Sequence, residues 1–239
     1  MRATYNRRMV VKRAESRADG HLDVLASIPA EYRKAVLEQC ERRVLRKGET
    51  IWLQGQPAEF VAFLAEGKAM SSYQSRNGKT GTTGFWCAGD ILGAADFGSN
   101  TRQMTLRSLG ECVIYTLSYP RFHELVRRFP EVGLAVIRAL SVRLRWVAQL
   151  AVTLETQSAH ERLCGVLLAL VDRFSIPCDQ GAMIDLKLTN EDLAAIAGVS
   201  RQFANGILSD LQRRGLLRTH KRALIVVDRD SLERLAYPS

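Results

Sequence analysis

Residues 188–228 read LTNEDLAAIAGVSRQFANGILSDLQRRGLLRTHKRALIVVD, and this stretch decides the fold. Thr189 can cap a helix whose third position is Asp192, a variant of the capping box. That helix is predicted from Asn190 to about Ala197, where Gly198 stops it, because a positive-φ turn is cheap only for glycine. Ser200 caps a second helix, which runs to about Arg214 before Gly215. Two short helices joined through a glycine turn make a helix-turn-helix.

The second helix has two faces. Ala204, Ile207, Leu208 and Leu211 recur at core spacing. Arg201, Gln202, Asn205 and Ser209 project from another side, within about 100° of one another at 3.6 residues per turn. Arginine, glutamine and asparagine pair with base edges in two-pronged fashion, and these lie in the first turns, where a recognition helix meets the major groove. Leu216-Leu217, a polar turn from Arg218 to Arg222, and Ala223 to Val227 are predicted to form a β-hairpin wing. Thr189 and Ser200 at the helix starts, with Lys221 and Arg222 on the wing, are the candidate contacts to DNA phosphates. Double-stranded DNA is the partner this pattern predicts.

Charge agrees in its placement. The formal net charge is +9. Residues 201–222 hold six Lys/Arg against Asp210 alone, whereas residues 158–239 as a whole carry 11 basic and 10 acidic side chains. The basic signal is therefore a local patch, as a DNA-facing edge requires. Residues 1–20 are also basic but contain no apolar core of a signal peptide, and are read as a flexible tail.

Upstream, residues 45–117 alternate short apolar runs (TIWLQG, EFVAFLAEG, CVIYTL) with regularly placed glycines, the rhythm of an all-β sandwich or barrel. Asn77-Gly78 is a hairpin signal, since both residues tolerate positive φ. Residues 22–40 have helical spacing, with Pro29 opening a helix. Near Tyr119 the pattern turns helical, and Pro130 separates a short helix from a long one. Along the long helix Leu140, Leu144, Val147, Ala151, Leu154 and Ser158 step by four and three, the seam of a two-stranded coiled coil. A second copy of the chain is the partner this seam predicts. A further helix follows from Glu161 to Phe174, then a loop (FSIPCDQGAM) and a strand-like IDLKL.

Other function classes find little support. There is no P-loop, G-x-S-x-G, H-E-x-x-H or dinucleotide fingerprint, so no catalytic residue is assigned and the chain is not expected to be an enzyme. The five cysteines are scattered without metal-ligand spacing, so no metal or cofactor is expected and a reducing cytoplasm fits. No apolar run approaches the roughly 18–20 residues that span a membrane, and no membrane partner is expected.

At this point the sequence resembles the CRP/FNR family, the cyclic-AMP receptor proteins and their relatives. LTNEDLAAIAGVSRQFANGILSDLQRRGLL resembles that family's DNA-binding signature, and KGETIWLQGQPAEFVAFLAEGKA the start of its cyclic-nucleotide-binding-type β-roll. The resemblance implies an α+β chain in four parts: a basic tail at 1–20, an effector-type β-roll with flanking helices at 21–130, a dimerisation helix at 131–158 and a winged helix-turn-helix at 159–239. It further implies a homodimer on a palindromic promoter site, in contact with RNA polymerase. The alternative is a cyclic-nucleotide-type regulatory module acting through protein partners.

The effector remains unknown on this reading. By position the pocket would involve Trp86, Gly93, Ala94, Arg102, Trp146 and Val147. The family's cyclic-AMP responders carry a Gly-Glu-Leu cassette; here Ala94 takes the carboxylate's place. A Thr-Ser pair that donates to adenine falls on Val147-Ala148. Arg102 either holds an anion or sits in solvent. The expectation is a regulator that does not depend on cyclic AMP, with a pocket that is empty, filled by its own side chains, or adapted to a less polar ligand.

Overall fold

The computed structural model describes residues 22–78, 80–221 and 223–238. The basic tail and Arg222 lie outside the described residues. The chain divides into two compact units: one comprises residues up to 74 and 85–144, the other 75–84 and 145 onward.

The first unit is built on two four-stranded sheets, apart from residues 80–84 of one strand, which belong to the second unit. One has the order β1 (Glu41–Leu45), β8 (Cys112–Ser118), β3 (Phe60–Glu66), β6 (Ile91–Leu92); the other β2 (Thr50–Trp52), β7 (Thr105–Ser108), β4 (Lys68–Gln74), β5 (Thr80–Cys87). The run FVAFLAE in β3 is apolar almost throughout because that strand is covered on both faces. Its Ala62 and Leu64 pack with Leu45, Trp52, Leu92, Leu106 and Ile114 in one cluster. Its Val61 and Phe63 face a second cluster with Val24 and Ile28 from α1 (Val24–Ser27) and its end, Val36 from α2 (Ala30–Gln39), Phe122 and Leu125 from α3 (Tyr119–Arg128), and Val132, Ala135 and Val136 from the start of α4 (Pro130–Thr156). The hairpin at Asn77-Gly78 forms, but only Gly78 takes a positive φ (81°), so asparagine's tolerance of that region is not used.

In the second unit α5 (Ala159–Phe174) presents Leu163, Cys164, Leu167, Leu170 and Val171 to the interior and packs on α6 (Asn190–Ala197) and α8 (Arg229–Ala236). A sheet of order β11 (Leu217–His220), β12 (Ala223–Val226), β10 (Gly181–Ile184), β9 (Ser175–Cys178) completes it, with α7 (Arg201–Arg213) between α6 and β11.

Three local expectations are corrected. The segment read as a loop at 174–183 is the β9–β10 hairpin, and of IDLKL only Ile184 is in a strand. Pro177 hid β9, yet β9 is an edge strand, where proline's missing N–H costs nothing. The long helix ends at Thr156, and Ser158 belongs to the next helix: its hydroxyl accepts from Glu161 N, and the Glu161 carboxylate accepts from Ser158 N at 2.8 Å. Ser158 therefore leaves the seam. The wing turn is shorter than predicted, since residues 218–220 already belong to β11 and Lys221 takes the turn at φ 47°. Among the described residues no helix is long and apolar enough to cross a membrane.

Candidate nucleic-acid interface

The helix-turn-helix is assembled by local hydrogen bonds that the sequence specifies. At the start of α6 the Thr189 hydroxyl accepts from Asp192 N (3.1 Å), and the Asp192 carboxylate accepts from Thr189 N (2.8 Å) and from the Thr189 hydroxyl (2.6 Å). Gly198 closes the helix in the left-handed region (φ 64°, ψ 40°), with its N–H directed at Ala194 O and Ala195 O. Ser200 Oγ accepts from Phe203 N at 3.2 Å and starts α7. An arginine that sequence reasoning did not single out locks the turn. Arg162 donates from Nε to Ala197 O (2.9 Å), from Nη2 to Gly198 O (3.3 Å) and from Nη1 to Gln157 O (2.7 Å). It thereby satisfies carbonyls that a helix end leaves without intrahelical partners. A lone arginine in an amphipathic helix carries no sequence signal for this role.

Helix α7 buries Ala204, Ile207, Leu208 and Leu211 and exposes Arg201, Gln202, Asn205 and Ser209, as its two-faced pattern requires. The four exposed side chains differ in freedom. Asn205 Oδ1 accepts from Asn190 Nδ2 at 2.6 Å, so a two-pronged contact from Asn205 to an adenine would have to displace or share that bond. Gln202 carries no such tether. The two helix caps differ likewise: the Thr189 hydroxyl proton is committed to Asp192, whereas the Ser200 hydroxyl accepts from Phe203 N and donates to no acceptor among the described residues.

The wing is fixed to α7 by Gln212 Nε2 donating to Thr219 Oγ1 at 3.0 Å. Arg218, His220 and Lys221 are exposed on it. Part of the basic patch is internally neutralised, because Asp210 pairs with Arg213 at 2.9 Å and Arg214 at 3.7 Å. The structure also exposes Phe203 in the first turn of α7, which the helical pattern alone did not mark.

On α4, Leu140, Leu144, Val147 and Leu154 are exposed large apolar side chains and Ala151 is exposed beside them. The stripe extends one step further back than predicted, to Ile137.

The candidate effector residues are divided between the two units. Gly93, Ala94 and Arg102 lie together in the first unit. Arg102 is 1% exposed, so it does not sit in solvent. Its Nη1 is 3.1 Å from Asp96 Oδ2 and 3.2 Å from the Tyr119 hydroxyl, its Nη2 donates to Phe60 O, and its guanidinium stacks 3.9 Å above the Trp52 ring. Gly93 is at φ 80°, and a Cβ there would come within 2.5 Å of Arg102 Nη1. The two terminal nitrogens are thus engaged by the protein's own carboxylate, hydroxyl and carbonyl, while the buried Nε has no hydrogen-bond partner among the described residues. Trp86 bonds Ser71 Oγ through Nε1 (3.2 Å) and lies under Arg143 (4.5 Å). Trp146 and Val147 belong to the second unit. Among the described residues no cluster of three or more metal-ligating side chains occurs. Burial pushes the Cys164 thiol in α5 up to about 12, which leaves it protonated and unreactive at neutral pH.

Comparison with known proteins places both units. Residues 161–235 match the Crp-like helix-turn-helix domain, and residues 42–129 the cyclic nucleotide-binding domain. The global nitrogen regulator of Nostoc sp. (strain PCC 7120) is 27% identical over 183 residues, 75% of this chain and 82% of that protein. The global nitrogen regulator of Synechococcus elongatus is 28% identical over 194 residues, 80% and 85% respectively. Among solved structures, the c-di-GMP responsive global regulator CLP of Xanthomonas campestris superposes with a TM-score of 0.73 at 22% identity, over 84% of this chain and 100% of that one, a likeness of fold.

Proposed function

Because this chain belongs to the CRP/FNR family of DNA-binding transcription regulators, we propose that it acts as a homodimer on a palindromic promoter site, contacts RNA polymerase there, and does so without cyclic AMP. The observation that carries the reading is α7: a helix with a buried apolar face and an exposed row of Arg201, Gln202, Asn205 and Ser209, next to an exposed basic wing. Arg201 is assigned to a guanine and Gln202 to an adenine, with Ser200 and Lys221 on phosphates.

The homodimer is supported by the exposed apolar stripe of α4, which has a coiled-coil spacing and wants a partner. Two-fold symmetry in the protein then calls for two-fold symmetry in the site. Contact with RNA polymerase rests on kinship alone. The cytoplasm is where such a regulator meets its DNA.

Cyclic-AMP independence rests on Arg102 and Ala94. A phosphate would have to compete with Asp96 for a guanidinium already buried and stacked, and the ribose would find no carboxylate at Ala94. Each buried hydrogen-bonding group left unsatisfied costs about 1–3 kcal/mol.

A genome-wide map of bound sites tests the proposal. Inverted repeats with half-sites about 34 Å apart are expected. A folded chain that enriches no DNA would instead favour a regulatory module that acts through protein partners.

A further inference from the structure

Two features of α7 are not accounted for by the fold. Phe203 is 51% exposed, and among the described residues no aromatic or cationic side chain stacks on it. Gly206 lies in the interior of a 13-residue helix, with nothing within 4 Å of the place a Cβ would occupy. The glycines on either side of α7 are explained by conformation, Gly198 at φ 64° and Gly215 at φ 74°. Gly206 is helical, so its backbone does not demand glycine, and no neighbour demands the space. Glycine is among the weakest helix formers, and this one weakens the helix without any return inside the fold.

The two positions are related. They are three residues apart and so adjacent on the helix surface. At about 100° per residue, Gly206 falls near the middle of the face opposite Ala204, Ile207, Leu208 and Leu211, with Gln202 and Ser209 on one side and Phe203 on the other. Side chains on a helix lean toward its N-terminus. Phe203 therefore overhangs the first turn, the part of a recognition helix that meets base edges. The exposed face thus carries an apolar ridge beside a bare strip of helix.

In the major groove the apolar group available to such a ridge is the 5-methyl of thymine, which aromatic and small apolar side chains contact. We infer that Phe203 is a base-reading residue that packs on a thymine methyl, and that Gly206 leaves the room for that edge to approach the helix. The inference rests on the DNA-binding reading and adds to it a thymine requirement that hydrogen-bonding residues do not supply. Gln202, on the other side of Gly206, suits an adenine independently of Phe203.

The test starts from duplexes enriched by the full-length protein from a random library. In the best site each thymine is replaced in turn by uracil, which removes the methyl and keeps pairing and the O4 acceptor. Fluorescence anisotropy should show one thymine per half-site at which uracil weakens binding about fourfold, the worth of one buried methyl group. Phe203→Ala should bind the thymine and uracil sites equally, with an unchanged circular dichroism spectrum. Gly206→Ala should melt at a higher temperature than the parent and bind that site more weakly. Equal binding of every uracil site by the parent, a thymine preference that survives Phe203→Ala, or full affinity in Gly206→Ala would each overturn the inference while leaving DNA binding intact. If the library yields no enriched site, the DNA-binding reading itself fails and this inference with it.

Discussion

Leu154 Cδ2 lies 2.7 Å from the point that a Cβ on Gly198 would occupy. A side chain near the end of the long helix thus packs on the turn between the two helices of the DNA-binding motif. Gly198 is constrained by its φ of 64°, whereas the Leu154 methyl group is the far end of a flexible, half-exposed side chain that can swing aside. Gly198→Ala should therefore cost about 1–2 kcal/mol, nearly all of it for the left-handed backbone. Leu154→Ala introduced into that variant should recover little of that cost. Denaturant titration of the two single variants and the double variant measures both shares, and an unaltered midpoint for Gly198→Ala would refute the backbone constraint.

The seam of α4 can be tested without disturbing the fold, because Leu144 is 69% and Val147 46% exposed in the single chain. Val147→Glu should convert a dimer to a folded monomer, since two like charges would face each other away from water at a cost of several kcal/mol. Light scattering that still reports a dimer would exclude this helix as the interface.

Arg201→Ala and Lys221→Ala should weaken DNA binding in different ways. Loss of a two-pronged guanine contact should cost about 1–3 kcal/mol and relax base preference at one position. Loss of a phosphate contact should weaken all sequences alike and reduce the salt dependence. Selection from a random library with each variant separates them. Uniform weakening by Arg201→Ala would reassign that arginine to the backbone.

Arg102, buried against Asp96, should leave the β-roll insensitive to cyclic nucleotides. Isothermal titration with cyclic AMP is expected to give no heat, and promoter binding is expected to be the same with or without it. Micromolar binding coupled to at least tenfold tighter DNA binding would overturn the proposal of independence.

Burial of the Cys164 and Cys40 thiols, each pushed up to about 12, contributes to the alkaline limit of stability. The Cys164 thiol moves from an ordinary 9.0 to about 12 because burial disfavours the thiolate. Above about 9 the unfolded chain releases this proton while the folded chain keeps it, so stability is lost as pH rises from about 9 toward 12. Thermal melts across that range should fall with pH for the parent and less steeply for Cys164→Ala. Equal slopes would remove the Cys164 thiol as a cause.

The amino-acid pattern alone specified the winged helix-turn-helix, both of its caps, the glycine at its turn, the two faces of α7 and the apolar stripe of α4. All are set by contacts within a few residues: a hydroxyl three positions from an N–H, a φ only glycine adopts cheaply, a repeat near 3.6. Tertiary structure decided what depends on partners distant in the chain. Whether Arg102 meets solvent, an anion or Asp96 turns on a fold that brings Trp52, Phe60 and Tyr119 around it. The β9–β10 hairpin exists because β12 supplies a neighbour for β10, and no local pattern announces that pairing. Phe203 and Gly206 look like an ordinary core residue and an ordinary helix defect until the packing of α7 shows that both face outward. Local propensity is written in spacing; burial is a property of the whole surface, and only the folded chain settles it.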